Sequence, residues 1–207
     1  MSIVKLNNNG IKNVTTLGSV SLGNMVFIKK LTASSSATLS FVDGSSSVVL
    51  DNTYKEYLFT FKDIHAATNN ADLQFNGSTD SGSNYNIAKT TTNFRSYHFE
   101  SNAAAALQYQ TNNDLAQGTG FQNFFGDDGV GNDNDQSAVG YMHLFNPSNT
   151  TFVKHFIAVT NMAHASDISV QNFTAGYLNT TSAIDAIQFK FDTGNIDAGD
   201  ICLYGIL

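Results

Sequence analysis

Apolar and polar residues alternate along this chain in short bursts. In Tyr57-Leu58-Phe59-Thr60-Phe61 the rings fall on every second residue, so Tyr57, Phe59 and Phe61 share one face of an extended segment and Leu58, Thr60 and Lys62 the other. Comparable runs cover 26–31, 37–42, 48–50, 54–64, 72–76, 89–99, 139–146, 151–160, 169–177, 186–191 and 201–207, and clusters of Ser, Thr, Asn, Asp and Gly separate them. The pattern predicts an all-β domain over 25–207, a two-sheet jelly-roll-like β-sandwich. One run, Ala103 to Leu107, reads as helix, barely two turns long and in a linking region.

Residues 1–24 show no sustained period and form, on this reading, an N-terminal extended arm. Ile3, Val4, Leu6, Ile11, Val14, Leu17, Val20 and Leu22 make it too apolar for a free tail, so it is expected to dock on its own domain or on a neighbour.

One hairpin can be argued in register. The turn residues Pro147 to Thr150 separate 139–146 from 151–160, and pairing Asn146 with Thr151 places Tyr141, His143, Phe145, Phe152, Lys154 and Phe156 on one face. Met142, Leu144, Val153, His155, Ile157 and Val159 then fill the other, which reads as core. A solvated sheet face should be cleanly polar. The first face is aromatic, so Tyr141, Phe145, Phe152 and Phe156 are expected to meet another subunit or another element.

Composition narrows the partners. Of 207 residues 42% are apolar and only 13% charged, well below the ~25% of an ordinary soluble domain. Asn, Thr, Ser and Gln must therefore meet water, a neutral surface that repels its own copies weakly. The net charge is -7, with one Arg and scattered Lys, which argues against nucleic acid as a partner. The opening residues do not read as a signal peptide, and no segment approaches the ~18 apolar residues of a membrane span, so synthesis in a cytoplasm without membrane insertion is expected. The lone Cys202 reads as a small buried hydrophobe.

Candidate chemistry is sparse. The loop 125–136 carries Asp127, Asp128, Asp133 and Asp135 among Gly and Asn, oxygen ligands of the kind calcium takes, but the spacing does not complete an EF-hand and a solvated or partner-facing turn is expected. His65, His98, His143, His155 and His164 form no short ligand pair, and no Gly-x-Ser-x-Gly elbow occurs. No catalytic, cofactor or metal residue is assigned, and a non-enzymatic protein is expected. Aromatics interleaved with amides, as in Gln108-Tyr-Gln110, suit either sugar rings or protein surfaces.

The stretch Asp51-Asn-Thr-Tyr-Lys-Glu-Tyr-Leu-Phe-Thr-Phe61, followed by Asp63-Ile-His-Ala-Ala-Thr68 and Leu73-Gln-Phe-Asn76, resembles virion structural proteins of tailed phages, especially marine, cyanophage-like ones. Gly82-Ser-Asn-Tyr-Asn86, Gly131-Asn-Asp-Asn-Asp-Gln136, Leu144-Phe-Asn-Pro-Ser148, Phe152-Val-Lys-His-Phe156, Gly194-Asn-Ile-Asp-Ala-Gly199 and Leu203-Tyr-Gly-Ile206 continue the likeness. It is one of segment texture and assigns no residue roles. The resemblance implies a β-sandwich without catalysis that decorates or cements a head, or forms part of a tail or fibre. Head decoration is preferred because the chain lacks the long repeats of a fibre shaft. Its expected partners are its own copies, a trimer favoured, and major capsid or tail components; a host-surface glycan is the alternative.

Overall fold

Strands built on this alternation fill the computed structural model, which describes residues 16–17, 20–21, 24–126 and 129–207, with side chains from Asn24 onward. Asp127, Asp128 and most of the expected arm thus lie outside the described residues. Within residues 1–24, β1 (Thr16–Leu17) pairs antiparallel with β2 (Val20–Ser21). The remaining strands are β3 (Met25–Thr32), β4 (Leu39–Val42), β5 (Glu56–Ala66), β6 (Leu73–Ser78), β7 (Lys89–Phe99), β8 (Ala105–Tyr109), β9 (Gln122–Asn123), β10 (Ala138–Phe145), β11 (Lys154–His164), β12 (Ile168–Leu178), β13 (Ala186–Phe191) and β14 (Ile196–Ile206).

They form two antiparallel sheets packed as a sandwich. The larger has eight strands in the order β3-β14-β5-β10-β11-β12-β7-β8, the smaller four in the order β4-β13-β6-β9. From β3 to β6, and again from β13 to β14, successive strands alternate between the sheets. With the inserted strands β7, β8, β11 and β12 set aside, two four-stranded sheets remain, β3-β14-β5-β10 and β4-β13-β6-β9. The inserted strands widen only the larger sheet, on the side of β10.

The core lies where the sheets face each other. Tyr57, Phe59 and Phe61 point into it as their spacing predicts, and Phe41, Phe75, Phe124 and Phe189 come from the opposite side, all fully or almost fully buried. Their rings meet mostly edge to face, the geometry that the aromatic quadrupole favours. Where β14 runs past β5 the register slips twice, and Asp63 (φ 51°) and Gly199 (φ 116°) take up the irregularity. A Cβ at Gly199 would sit 2.5 Å from the Asp63 carbonyl oxygen, so only glycine fits.

On β7 and β12 part of the inner face is polar. Thr91, Asn93, Asn172, Thr174 and Gln122 are buried there and mostly bond among themselves and to the 110–124 segment. Thr91 Oγ1 donates to Gln122 Oε1 (2.7 Å), Gln122 Nε2 to the Asn113 carbonyl (2.7 Å) and Asn93 Nδ2 to Thr174 Oγ1 (3.0 Å). These bonds lower the cost of the buried polar layer, although among the described residues Asn93 Oδ1 and the Asn172 side-chain amide have no hydrogen-bond partner.

Three expectations are corrected. Residues 48–50 are not a strand: Val48 donates to the Ser45 carbonyl and closes a turn, although Val48 and Leu50 are buried. The helix-like run becomes the edge strand β8, because five residues cannot meet the cost of helix nucleation while β7 offers a ready ladder. The β10–β11 register also differs. Leu144 pairs with Phe156 and Met142 with Ala158, three residues away from the pairing that Asn146 opposite Thr151 would give. Residues 146–153 form one longer loop, in which Asn149 Oδ1 accepts from the amides of Thr151 and Phe152 and Asn146 takes a positive φ of 50°. An odd slip exchanges the two faces of a strand. Phe156 and Lys154 therefore point inward, and His155, Ile157 and Val159 point out.

Candidate functional site

The outward face of the eight-stranded sheet is built by that exchange. Register carries one row across it: Phe27 opposite Tyr204, then Leu58, His143, Ile157, Ala175 and Thr92. A second row runs from Thr60 through Tyr141, Val159, Phe173 and Phe94 to Tyr109. Rings touch along and across these rows. Phe94 stacks on Phe173 at 4.8 Å, Phe27 meets Tyr204 edge-on at 5.6 Å, and His143 lies between Tyr141 and Phe145 at 5.4 and 6.1 Å.

Much of this surface is open to solvent. Phe27 is 57% exposed, Tyr141 41%, Ile157 50% and Phe94 41%, large apolar side chains left open to solvent on one face of the sheet. The charges among these rows are few and largely paired. Glu56 Oε1 accepts from His143 Nδ1, and Lys30 lies 3.0 Å from Asp200 at one margin. Between Ile157, Tyr177 and His155 the small Ala175 leaves a shallow groove of about 500 Å³, walled by Thr90 and Thr92. His155 packs against Tyr177 at 5.8 Å on its rim.

Of the four residues expected to form an interface, Tyr141 and the half-buried Phe145 lie on this face. Phe152 is 68% exposed but belongs to the 146–153 loop beside it. Phe156 is the exception: it is 1% exposed and packs edge-on against Phe75 at 4.8 Å, so it belongs to the core. The sequence missed Ile157, Val159, Phe173 and Phe94 as members of the outer face, because a period of two tells which residues share a face but not which face is outward.

The histidines are dispersed. His65 lies 3.5 Å from Asp197 and 3.2 Å from the Asp133 carbonyl, and His98 is exposed. His164 is nearly buried; its Nδ1 accepts from the Ser166 amide, so Nε2 carries the proton and donates to Asn70 Oδ1 at 3.0 Å. Burial, with Arg95 nearby, holds its pKa below the usual histidine value. Asp133 and Asp135 are exposed, and Gln136 closes their turn by donating its amide to the Asp133 carbonyl. Among the described residues no three His, Cys, Asp or Glu side chains converge as a metal site.

His155 carries a direct check on the corrected register. Exposed on the outer face, it should tolerate His155→Ala with a stability change within about 0.5 kcal/mol, whereas a core position would lose several times as much. Thermal unfolding of the variant distinguishes the two.

Comparison with protein-family models, with curated proteins and with solved structures finds no match for this chain.

Proposed function

We propose that this chain is a non-enzymatic structural subunit of a phage virion, preferentially a head decoration or cement protein that holds its particle through the outer face of the eight-stranded sheet. The observation that carries the reading is that face: rows of rings and aliphatic side chains, few charges, and no covering element among the described residues. Burying such area against a partner stabilises a complex by roughly 25 cal/mol per Å² before the costs of association. The strand order supports the same reading. With β7, β8, β11 and β12 set aside, β3-β14-β5-β10 against β4-β13-β6-β9 is the order of an eight-stranded jelly roll, an architecture shared by capsid and lectin domains. Fold alone does not assign function; the likeness of segments to tailed-phage virion proteins selects the capsid side. Self-association and contact with major capsid or tail components follow from it.

The second reading, a glycan-binding module of a tail or fibre, has one observation in its favour. The outer groove sets the Tyr177 ring beside Thr90, Thr92 and His155, an apolar ring face with neutral donors around it, which suits a sugar.

One experiment addresses both. Tyr141→Glu combined with Ile157→Glu puts two carboxylates into the middle of the outer face, where both side chains are exposed and folding should be unaffected. Co-sedimentation with particles stripped of the protein should weaken by about tenfold or more, as expected for removing anchors from an interface centre. Unchanged sedimentation of a folded variant contradicts the reading. Saturable binding in a glycan screen that Tyr177→Ala abolishes would favour the second one.

A further inference from the structure

We propose that β8 is a self-pairing edge, through which two copies of this chain join their eight-stranded sheets by antiparallel β8–β8 pairing about a two-fold axis at Leu107. The inference stands on the edge strand itself and does not rest on the virion reading.

The hydrogen-bond parity of β8 is fixed by its ends. The Gln110 amide donates to the Asn93 carbonyl and the Phe99 amide to the Ala104 carbonyl, so along this register Ala104, Ala106, Gln108 and Gln110 turn their backbone groups toward β7. Ala105, Leu107 and Tyr109 therefore turn theirs away from the sheet. Among the described residues β8 is the last strand in its sheet, and none of them hydrogen-bonds to those outward groups. Leu107 is 70% exposed and Tyr109 51%.

Edge strands are normally protected by charge, proline, bulges or brevity. The other edges here show such protection. β3 carries Lys29 and Lys30, and Lys29 Nζ donates to the Ser46 carbonyl across its flank. β9 has two residues, and β4 leads directly into the turn that Val48 closes. The sequence of β8, Ala-Ala-Leu-Gln-Tyr, has no charge, no proline and no bulge in its pairing with β7.

A second copy is the occupant that this strand fits. A two-fold axis at Leu107 places Leu107 opposite Leu107 of the other copy, and Ala105 opposite Tyr109 in both directions. All three pairs are then of the hydrogen-bonded kind and give about six backbone hydrogen bonds. The side chains complement each other as well. Leu107 and Tyr109 point to the outer face, where Tyr109 sits opposite Phe94, so pairing brings leucine against leucine and a small alanine beside each tyrosine ring. No charged side chain stands on β8 in either copy, so no like charges face each other between the paired strands.

Backbone amide hydrogen exchange of the full chain, read across a range of protein concentrations together with native mass, tests this. The amides of Ala105, Leu107 and Tyr109 should slow by about tenfold or more as a dimer, or an assembly of dimers, accumulates, while Ala106 and Gln108 stay protected throughout by β7. Leu107→Lys, which sets two ammonium groups opposite each other at the axis, should return a folded monomer with an unchanged melting temperature. A chain that stays monomeric with fast exchange at those three amides overturns the proposal. So does an oligomer, a trimer included, in which they remain fast, since its interface lies elsewhere.

Discussion

Phe189→Ala is expected to destabilise the fold by about 3–5 kcal/mol, the range for deleting a large aromatic from a close-packed core. Phe189 is fully buried on β13, the strand between β4 and β6 in the smaller sheet. Its ring lies 5.3 Å from those of Phe59 and Phe61 on the opposing sheet and 6.2 to 6.4 Å from Phe41, Phe75 and Phe124. Truncation opens a cavity where both sheets meet, and rings held by several neighbours collapse poorly into such a space. Denaturant titration should show a lower midpoint with the slope retained. A loss under about 1 kcal/mol would mean that the sandwich core is not organised around this ring.

Lys89→Met is expected to stabilise the protein below neutral pH by about 1–4 kcal/mol, the range seen when buried ion pairs give way to apolar side chains of similar volume. Lys89 is fully buried at the start of β7, and its Nζ donates to Asn76 Oδ1 (2.7 Å) and the Ile87 carbonyl (2.8 Å), with no ion pair to a carboxylate among the described residues. Burial lowers its pKa from 10.5 to about 7. The folded state thus favours the neutral amine, and between pH 7 and 10.5 the unfolded chain binds a proton that the folded chain does not. Stability from this group therefore rises with pH across that window, by up to about 1.4 kcal/mol per pH unit, and the cost of the buried charge is fully present below pH 7. Lys154, buried with its Nζ on the carbonyls of Phe152 and Thr180, has its pKa lowered for the same reason and acts in the same direction. Above pH 10 the tyrosines whose pKa is raised, Tyr57 and Tyr204 among them, oppose the trend, since the unfolded chain then loses its phenolic protons first. Asn76 Oδ1 keeps the Gly77 amide as a donor in the variant, so the substitution strands only the Ile87 carbonyl. Melting temperatures between pH 6 and 9.5 should climb in the wild type and flatten in Lys89→Met. Parallel curves would contradict the account of this lysine.

The two substitutions mark what a period of two can and cannot tell. The alternation around Tyr57, Phe59 and Phe61 was legible because both faces are distinctive, rings inward and Leu58, Thr60 and Lys62 outward. The β10–β11 hairpin was legible as two strands but not in register. Both faces of β11 are apolar, and the offset is set by Asn146 and Asn149 folding the 146–153 loop, a geometry that composition does not encode. Lys89 and Lys154 look like solvated residues in the sequence. They are buried because the fold lays distant segments over them, Asn76 of β6 over Lys89 and the Thr180 carbonyl over Lys154, a consequence of strand order across the whole chain. The outer face inherits both effects: its aromatic character could be anticipated at Tyr141 and Phe145, whereas Ile157, Phe173 and Phe94 joined it only through register.

A cryo-EM reconstruction of the intact particle, resolved well enough to place the eight-stranded sheet, tests the proposed role most directly. This chain is expected in many copies, with the face bearing Tyr141, Ile157 and Phe173 closed against another protein subunit. A chain absent from the particle, or attached with that face open to solvent, would contradict it.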